Sequence, residues 1–187
     1  MSDNRFDEEL QVIAAAKEGD AKAQKKIYEC YASSMMSICW RYAGDTETAK
    51  DLLQDGFVKL FTKLDMYAGT GAFAGWVRRV FVTTCLEYLR QKSALRLGVP
   101  IDDSEYHLPD SDVSVIDKIS ADELMRLIAE LPDGFRTVFN LFVIEGYSHA
   151  EIADMLGISE VNSRTLFLRA RKSLQKAVQL LEENERR

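Results

Sequence analysis

The chain has 187 residues, 47% of them hydrophobic, and a formal net charge of −6. That length can bury one real core or two small ones, and the composition excludes disordered and fibrous classes. No apolar run approaches the roughly 20 residues that span a bilayer, and Asp3, Asp7, Glu8 and Glu9 stand where a secretory signal needs basic and then apolar residues, so a cytoplasmic protein with no direct membrane insertion is expected.

Apolar residues recur at helical spacing and no stretch alternates like a half-buried strand, so the fold class is all-α. A first helix is predicted from Phe6 to Lys17, with Phe6, Leu10, Ile13 and Ala14 on its core face, and Gly19-Asp20 closes it and caps the next. The second carries Ile27, Tyr31, Met35, Ile38 and Tyr42 along one stripe, and Gly44-Asp45 repeats the stop and start. The third buries Ala49, Leu52, Leu53, Leu60, Phe61 and Leu64, leaving Asp51, Gln54, Asp55 and Lys59 on its opposite face. After the Gly-rich loop 68–72, Phe73, Val77, Val80, Phe81, Thr84 and Tyr88 mark a fourth helix, with Arg79, Thr83, Glu87 and Arg90 on its other side.

Residues 93–119, with Gly98, Pro100 and Pro109 among acids and serines, read as a flexible linker between two small helical domains, 1–92 and 120–187. Order resumes at the capping box Ser120-Ala-Asp-Glu123, ahead of Leu124, Leu127, Ile128 and Leu131. Pro132 suits the first turn of a helix with the stripe Phe135, Val138, Phe139 and Phe142, which Gly146 ends. A second capping box, Ser148-His-Ala-Glu151, opens a two-turn helix; Gly157 supplies a tight corner of positive φ, and Ser159 caps a last helix with the buried stripe Leu166, Ala170, Leu174, Ala177 and Leu181. That geometry is a helix-turn-helix, with Arg164, Thr165, Leu168 and Arg171 turned outward where a recognition helix meets DNA.

The charge is unevenly placed. Residues 100–123 carry eight acids against Lys118, a net −7, whereas 76–96 sum to +4 and 161–176 to +5 with no acid. Two basic surfaces are thus separated by one acidic segment. Cys30, Cys39 and Cys85 show no Cys-x-x-Cys spacing and lie far in sequence from His107 and His149, so buried free thiols are expected, with no metal or cofactor. No phosphate-binding P-loop, Gly-x-Ser-x-Gly or His-Glu-x-x-His occurs, which argues against an enzyme. A helix-turn-helix regulator that binds duplex DNA unaided is a second possible function.

The stretches DLLQDGFVKLF (51–61), FAGWVRRVFVTTCLEYLR (73–90), LPDGFRTVFNLFVIEGYSHAEIADMLGIS (131–159) and RARKSL (169–174) resemble, in order and spacing, the extracytoplasmic-function sigma factors. These are the smallest sigma-70-type factors of bacterial RNA polymerase, and the resemblance runs over about residues 10–179. It implies a region 2-like four-helix domain, 1–92, which docks on core polymerase and reads and melts the minus-ten element, and a region 4-like domain, 120–187, which binds the minus-thirty-five element. Asp51, Gln54, Asp55 and Val58 match the face that meets the clamp of the largest subunit; the flap of the second subunit and promoter DNA are the other implied partners. Trp76, Arg78, Arg79, Thr83, Glu87 and Arg90 match the minus-ten region, Trp76 standing either in the core or beside the melted strand. Ser159 and Ser163 are implied as phosphate contacts and Asn162, Arg164 and Thr165 as base contacts, with Leu168 and Arg171 on the same outer face. The linker corresponds to the segment that threads toward the active-site cleft and the RNA exit path. The resemblance also implies an anti-sigma partner, often membrane-anchored. Thr83, Glu87, Val161-Asn162 and Leu168 depart from residues common in the family, so the promoter sequence is not implied.

Overall fold

The computed structural model describes residues 3–91 and 120–185; the predicted linker, 93–119, lies outside the described residues. Among the described residues all regular structure is helical, and the chain separates into two compact units that divide after Tyr88.

The first unit contains α1 (Asp3–Lys17), α2 (Ala21–Ala43), α3 (Thr46–Thr62), a 3-10 turn at Leu64–Met66, and α4 (Phe73–Gln91), whose last residues lie beyond the division. Both aspartate caps form as expected. The Asp20 carboxylate accepts the N–H of Ala23 and the Asp45 carboxylate that of Thr48, each at 2.8 Å, and such caps contribute about 1 kcal/mol apiece. Gly44, at φ 81°, ends α2 in the left-handed conformation, with its N–H on the Trp40 carbonyl.

The core lies where α2, α3 and α4 meet: Ile27, Met35, Ile38 and Tyr42 face Leu52, Phe57 and Leu60, and Val77, Phe81 and Cys85 complete it. Gly56 explains how closely α3 approaches α4, because a Cβ there would stand 2.3 Å from the Phe81 ring. A helix-interior glycine costs about 1 kcal/mol relative to alanine, and here it makes room for a fully buried ring. Several stripes differ from expectation. On α1 the buried residues are Ile13 and Ala16, whereas Leu10 and Ala14 are exposed. On α4, Val82, Leu86 and Leu89 join the core, while Val80 and Tyr88 are half-buried. Cys39 and Cys85 are buried free thiols, but Cys30 is exposed, because it lies off the α2 stripe on the solvent side.

The second unit contains α5 (Ala121–Glu130), α6 (Asp133–Phe139) continuing into a π-helical turn at Asn140–Ile144, α7 (His149–Leu156) and α8 (Glu160–Glu185). Both capping boxes form, at Ser120 with Glu123 and at Ser148 with Glu151. The Ser148 N–H and hydroxyl hold the Glu151 carboxyl below its ordinary pKa. Pro132 stands at the cap position before α6, one residue earlier than its expected place in the first turn.

Of the stripe expected on α6, Val138 is fully buried, but Phe135, Phe139 and Phe142 are only half-buried, and Thr137, Asn140 and Leu141 are buried beside Val138. From Asn140 onward the wider π turn takes the chain out of 3.6-residue register. The rings turn toward α8, with Phe142 and Phe139 at 4.7 and 6.2 Å from Phe167. Ile128, Leu131, Ala170 and Leu174 form the apolar centre between α5 and α8. The α8 stripe continues to Val178; Ala177 is half-buried and Leu181 exposed, contrary to expectation, since a 3.6-residue period moves the seam by one position over that length. Arg136 is buried, and its Nη1 donates to the carbonyls of Ala129 (2.6 Å) and Leu131 (3.0 Å) while Nη2 pairs with Asp133. One side chain thus satisfies carbonyls that the end of α5 leaves open.

Candidate polymerase and nucleic-acid interfaces

One side of α3 carries Asp51, Gln54, Asp55 and Val58, all exposed. Their spacing at i, i+3, i+4 and i+7 makes a single ridge, and Val58 is 59% exposed within it. Acids and an amide around an apolar side chain form a surface that suits a basic partner carrying its own apolar contact. Lys59, expected on this face, belongs elsewhere: it is half-buried and reaches α4, where its Nζ lies 2.6 Å from Glu87 Oε2.

That ion pair spans a hollow of about 170 Å³ lined by Lys59, Lys63, Trp76, Arg79, Thr83 and Glu87, with Val80 and Thr84. Arg79, Thr83 and Glu87 follow one another at four-residue spacing along α4, with Trp76 one turn earlier, so one helix face supplies a cation, a hydroxyl, a carboxylate and an aromatic wall. Trp76 packs as one of its two expected places requires, half-buried, stacked on Phe73 at 5.8 Å and 5.6 Å from Tyr67, and its remaining surface lines the hollow. The Gly-rich loop beside it is tied down, since the Tyr67 hydroxyl donates to the Gly71 carbonyl at 2.7 Å. Arg78 and Arg90 are exposed but are not among the lining residues.

In the second unit Gly157 turns the chain at φ 68° between α7 and α8, and the Ser159 hydroxyl accepts the Asn162 N–H at 3.1 Å, as the sequence predicts. Ser163 contradicts its expected role. Its side chain is fully buried, with Oγ 2.9 Å from His149 Nδ1, because position 163 falls on the same face as Leu166 and Ala170; it cannot offer its hydroxyl to a phosphate. Arg164 is exposed and paired with Glu160, Thr165 is half-buried and donates its hydroxyl to the Val161 carbonyl at 2.9 Å, and Asn162 and Arg171 are half-buried. Leu168 is 50% exposed on the outer face. His149 stacks on Phe142 at 4.3 Å; burial first, and then the nearby Arg164 charge, hold its pKa down, against an opposing effect of Glu160.

Two family models match the chain: Sigma-70 region 2 over residues 27–94 and Sigma-70, region 4 over residues 121–174. The RNA polymerase sigma-H factor of Pseudomonas aeruginosa is 26% identical over 94% of this chain and 96% of its own. The ECF RNA polymerase sigma factor SigW of Bacillus subtilis is 25% identical over 88% and 93%. The chain belongs to the extracytoplasmic-function sigma factors. It is an alternative sigma factor, which directs RNA polymerase to promoters. The same fold is seen in the Bartonella quintana sigma factor RpoE, solved with the anti-sigma factor NepR, at a TM-score of 0.52 and 17% identity over 83% of this chain and 96% of that one. In this sigma factor the region 2 match runs from within α2 past the end of α4, and the region 4 match from the start of α5 into α8.

Three residues of these surfaces escaped the sequence reading. Lys59 and Lys63 line the hollow because α3 crosses α4 there, a juxtaposition that helical periodicity alone does not encode. His149 stood out only as a cap residue, although its place before Ile152 and Ala153 on α7 was a signal for burial. Among the described residues no helix is long and apolar enough to cross a membrane.

Proposed function

We propose that the two units divide promoter recognition between them, on the domain boundaries 1–92, 93–119 and 120–187. The ridge of Asp51, Gln54, Asp55 and Val58 docks on the clamp of the largest polymerase subunit, and residues 120–187 meet the flap of the second. The hollow between α3 and α4 receives an unstacked base of the minus-ten element, with Trp76 as its wall and Thr83 and Glu87 as polar contacts, while Arg78, Arg79 and Arg90 hold phosphates. The outer face of α8, with Ser159, Asn162, Arg164, Thr165, Leu168 and Arg171, lies against the duplex minus-thirty-five element. The acidic linker threads toward the RNA exit path, and an anti-sigma protein sequesters the free factor in the cytoplasm. No step requires a catalytic centre of its own, because melting follows from tighter binding to the opened strand than to the duplex.

The observation that carries this reading is the hollow lined by Trp76 and by the Lys59–Glu87 ion pair, on a helix that also carries Arg78, Arg79 and Arg90. Charge reversal at Asp51 and Asp55 together is expected to abolish capture of core polymerase by the full chain while leaving its helix content unchanged. Substitutions on the outer face of α8 are expected to leave that capture intact. Undiminished capture by the reversed variant would exclude the α3 ridge as the docking surface.

A further inference from the structure

The outward stripe of α8 is less polar than its basic composition suggests. Val161 is 67% exposed and Leu168 is 50% exposed, seven residues apart on one side of the helix. Of the polar side chains between them, Ser163 is buried and Asn162 and Thr165 are half-buried. The Thr165 hydroxyl donates to the Val161 carbonyl, and the Arg164 guanidinium is held by Glu160 one turn back. What the stripe presents at its two ends is therefore aliphatic, flanked further along by the cations Lys172 and Lys176, which attract a polyanion.

An aliphatic side chain exposed at this position gains nothing in water. On the floor of a DNA major groove, where donors and acceptors dominate, the apolar group on a base edge is the thymine C5-methyl. Seven residues of helix advance about 10 Å, roughly three base-pair steps. We propose that Val161 and Leu168 are specificity residues that each pack on a thymine methyl, at two positions about three base pairs apart in the upstream duplex element. The inference rests on the reading of α8 as the duplex-facing helix, and it adds what that reading leaves open: the identity of two bases and the residues that select them.

Replacing thymine by deoxyuridine removes the methyl and leaves every hydrogen-bonding edge in place, so it isolates this contact. The full chain with core polymerase would be bound, at fixed salt, to promoter duplexes in which each upstream thymine in turn is replaced by deoxyuridine. Two replacements, about three base pairs apart, are expected to weaken binding about fourfold each, the effect of one buried methyl-sized group. Val161→Ala is expected to erase the thymine preference at one of them and Leu168→Ala at the other. Both positions are exposed, so the variants should fold. Tolerance of uracil at every upstream thymine, or a thymine preference that survives both substitutions, would overturn the proposal. Mapped promoters with no shared upstream sequence would bring down the reading of α8 itself, and the inference with it.

Discussion

The two units present opposite kinds of surface. In the first, α3 and α4 leave a concave hollow with an aromatic wall, a cation from each helix and an acid balanced by Lys59. In the second, α8 offers a convex rod whose outer stripe alternates aliphatic and internally paired polar side chains. A hollow of this size suits a single unstacked base, and a rod suits a groove. The supports differ as well. The first unit is held by aromatic rings and the close approach at Gly56, whereas the second is fixed by buried polar groups, Arg136 on the end of α5 and His149 on Ser163 of α8. The outer stripe of α8 thus lies above a buried polar contact, Ser163 with His149.

The largest expected effect separates those supports. Arg136→Met leaves the carbonyls of Ala129 and Leu131 without their buried donor, and should destabilise the second unit by about 2–4 kcal/mol. Calorimetry would show its transition lowered with that of the first unit unmoved; a joint shift would contradict the independence of the two supports. Next comes Trp76→Ala, which removes the wall of the hollow. Strand opening at the minus-ten element, followed by permanganate reactivity, should fall about tenfold or more, with upstream duplex binding unchanged. Equal losses in both would mean that Trp76 serves only as packing.

Gly56→Ala sharpens the comparison through its sign. Alanine is the better helix former by about 1 kcal/mol, yet its methyl would collide with the immobile Phe81 ring, and a net destabilisation of about 1–2 kcal/mol is expected in the first unit. A more stable variant would show that α3 and α4 are not in close contact there. The smallest effect is a pH dependence confined to the second unit. Its His149 is held below the ordinary value of about 6.5 in the folded state, so the unfolded chain binds the proton first. The stability due to neutral His149 is complete above about pH 6.5 and declines as pH falls through that value. Urea melts from pH 8 to pH 5 should show this slope in the native protein and lose it in His149→Gln; equal slopes would dissociate the latch from titration.

Much of this architecture was legible in the sequence. Both aspartate caps, both capping boxes, the corner at Gly157 and the Ser159 cap are local chemistry, written in residues a few positions apart, and all form as expected. The errors arise where tertiary context decides. The phenylalanines of α6 are only half-buried, Cys30 lies outside the core, and Ser163, on the face of Leu166 and Ala170, is buried where His149 meets its hydroxyl. On α3 the exposed Asp51, Gln54 and Asp55 could be read from spacing, since a surface needs only one helix, whereas Val58 came from the family resemblance and Lys59 was misplaced. The hollow could not, because Lys59 and Lys63 join it from a second helix whose crossing depends on Gly56 meeting Phe81.

The most direct test of the central claim is run-off transcription by purified core polymerase on fragmented genomic DNA, with and without the sigma factor, with the new transcript starts mapped. Divided recognition predicts starts that share two upstream motifs at a fixed spacing, the downstream motif losing its effect in Trp76→Ala and the upstream motif losing its preference at one position in Leu168→Ala. Starts that share a single motif, or that ignore both substitutions, would contradict it.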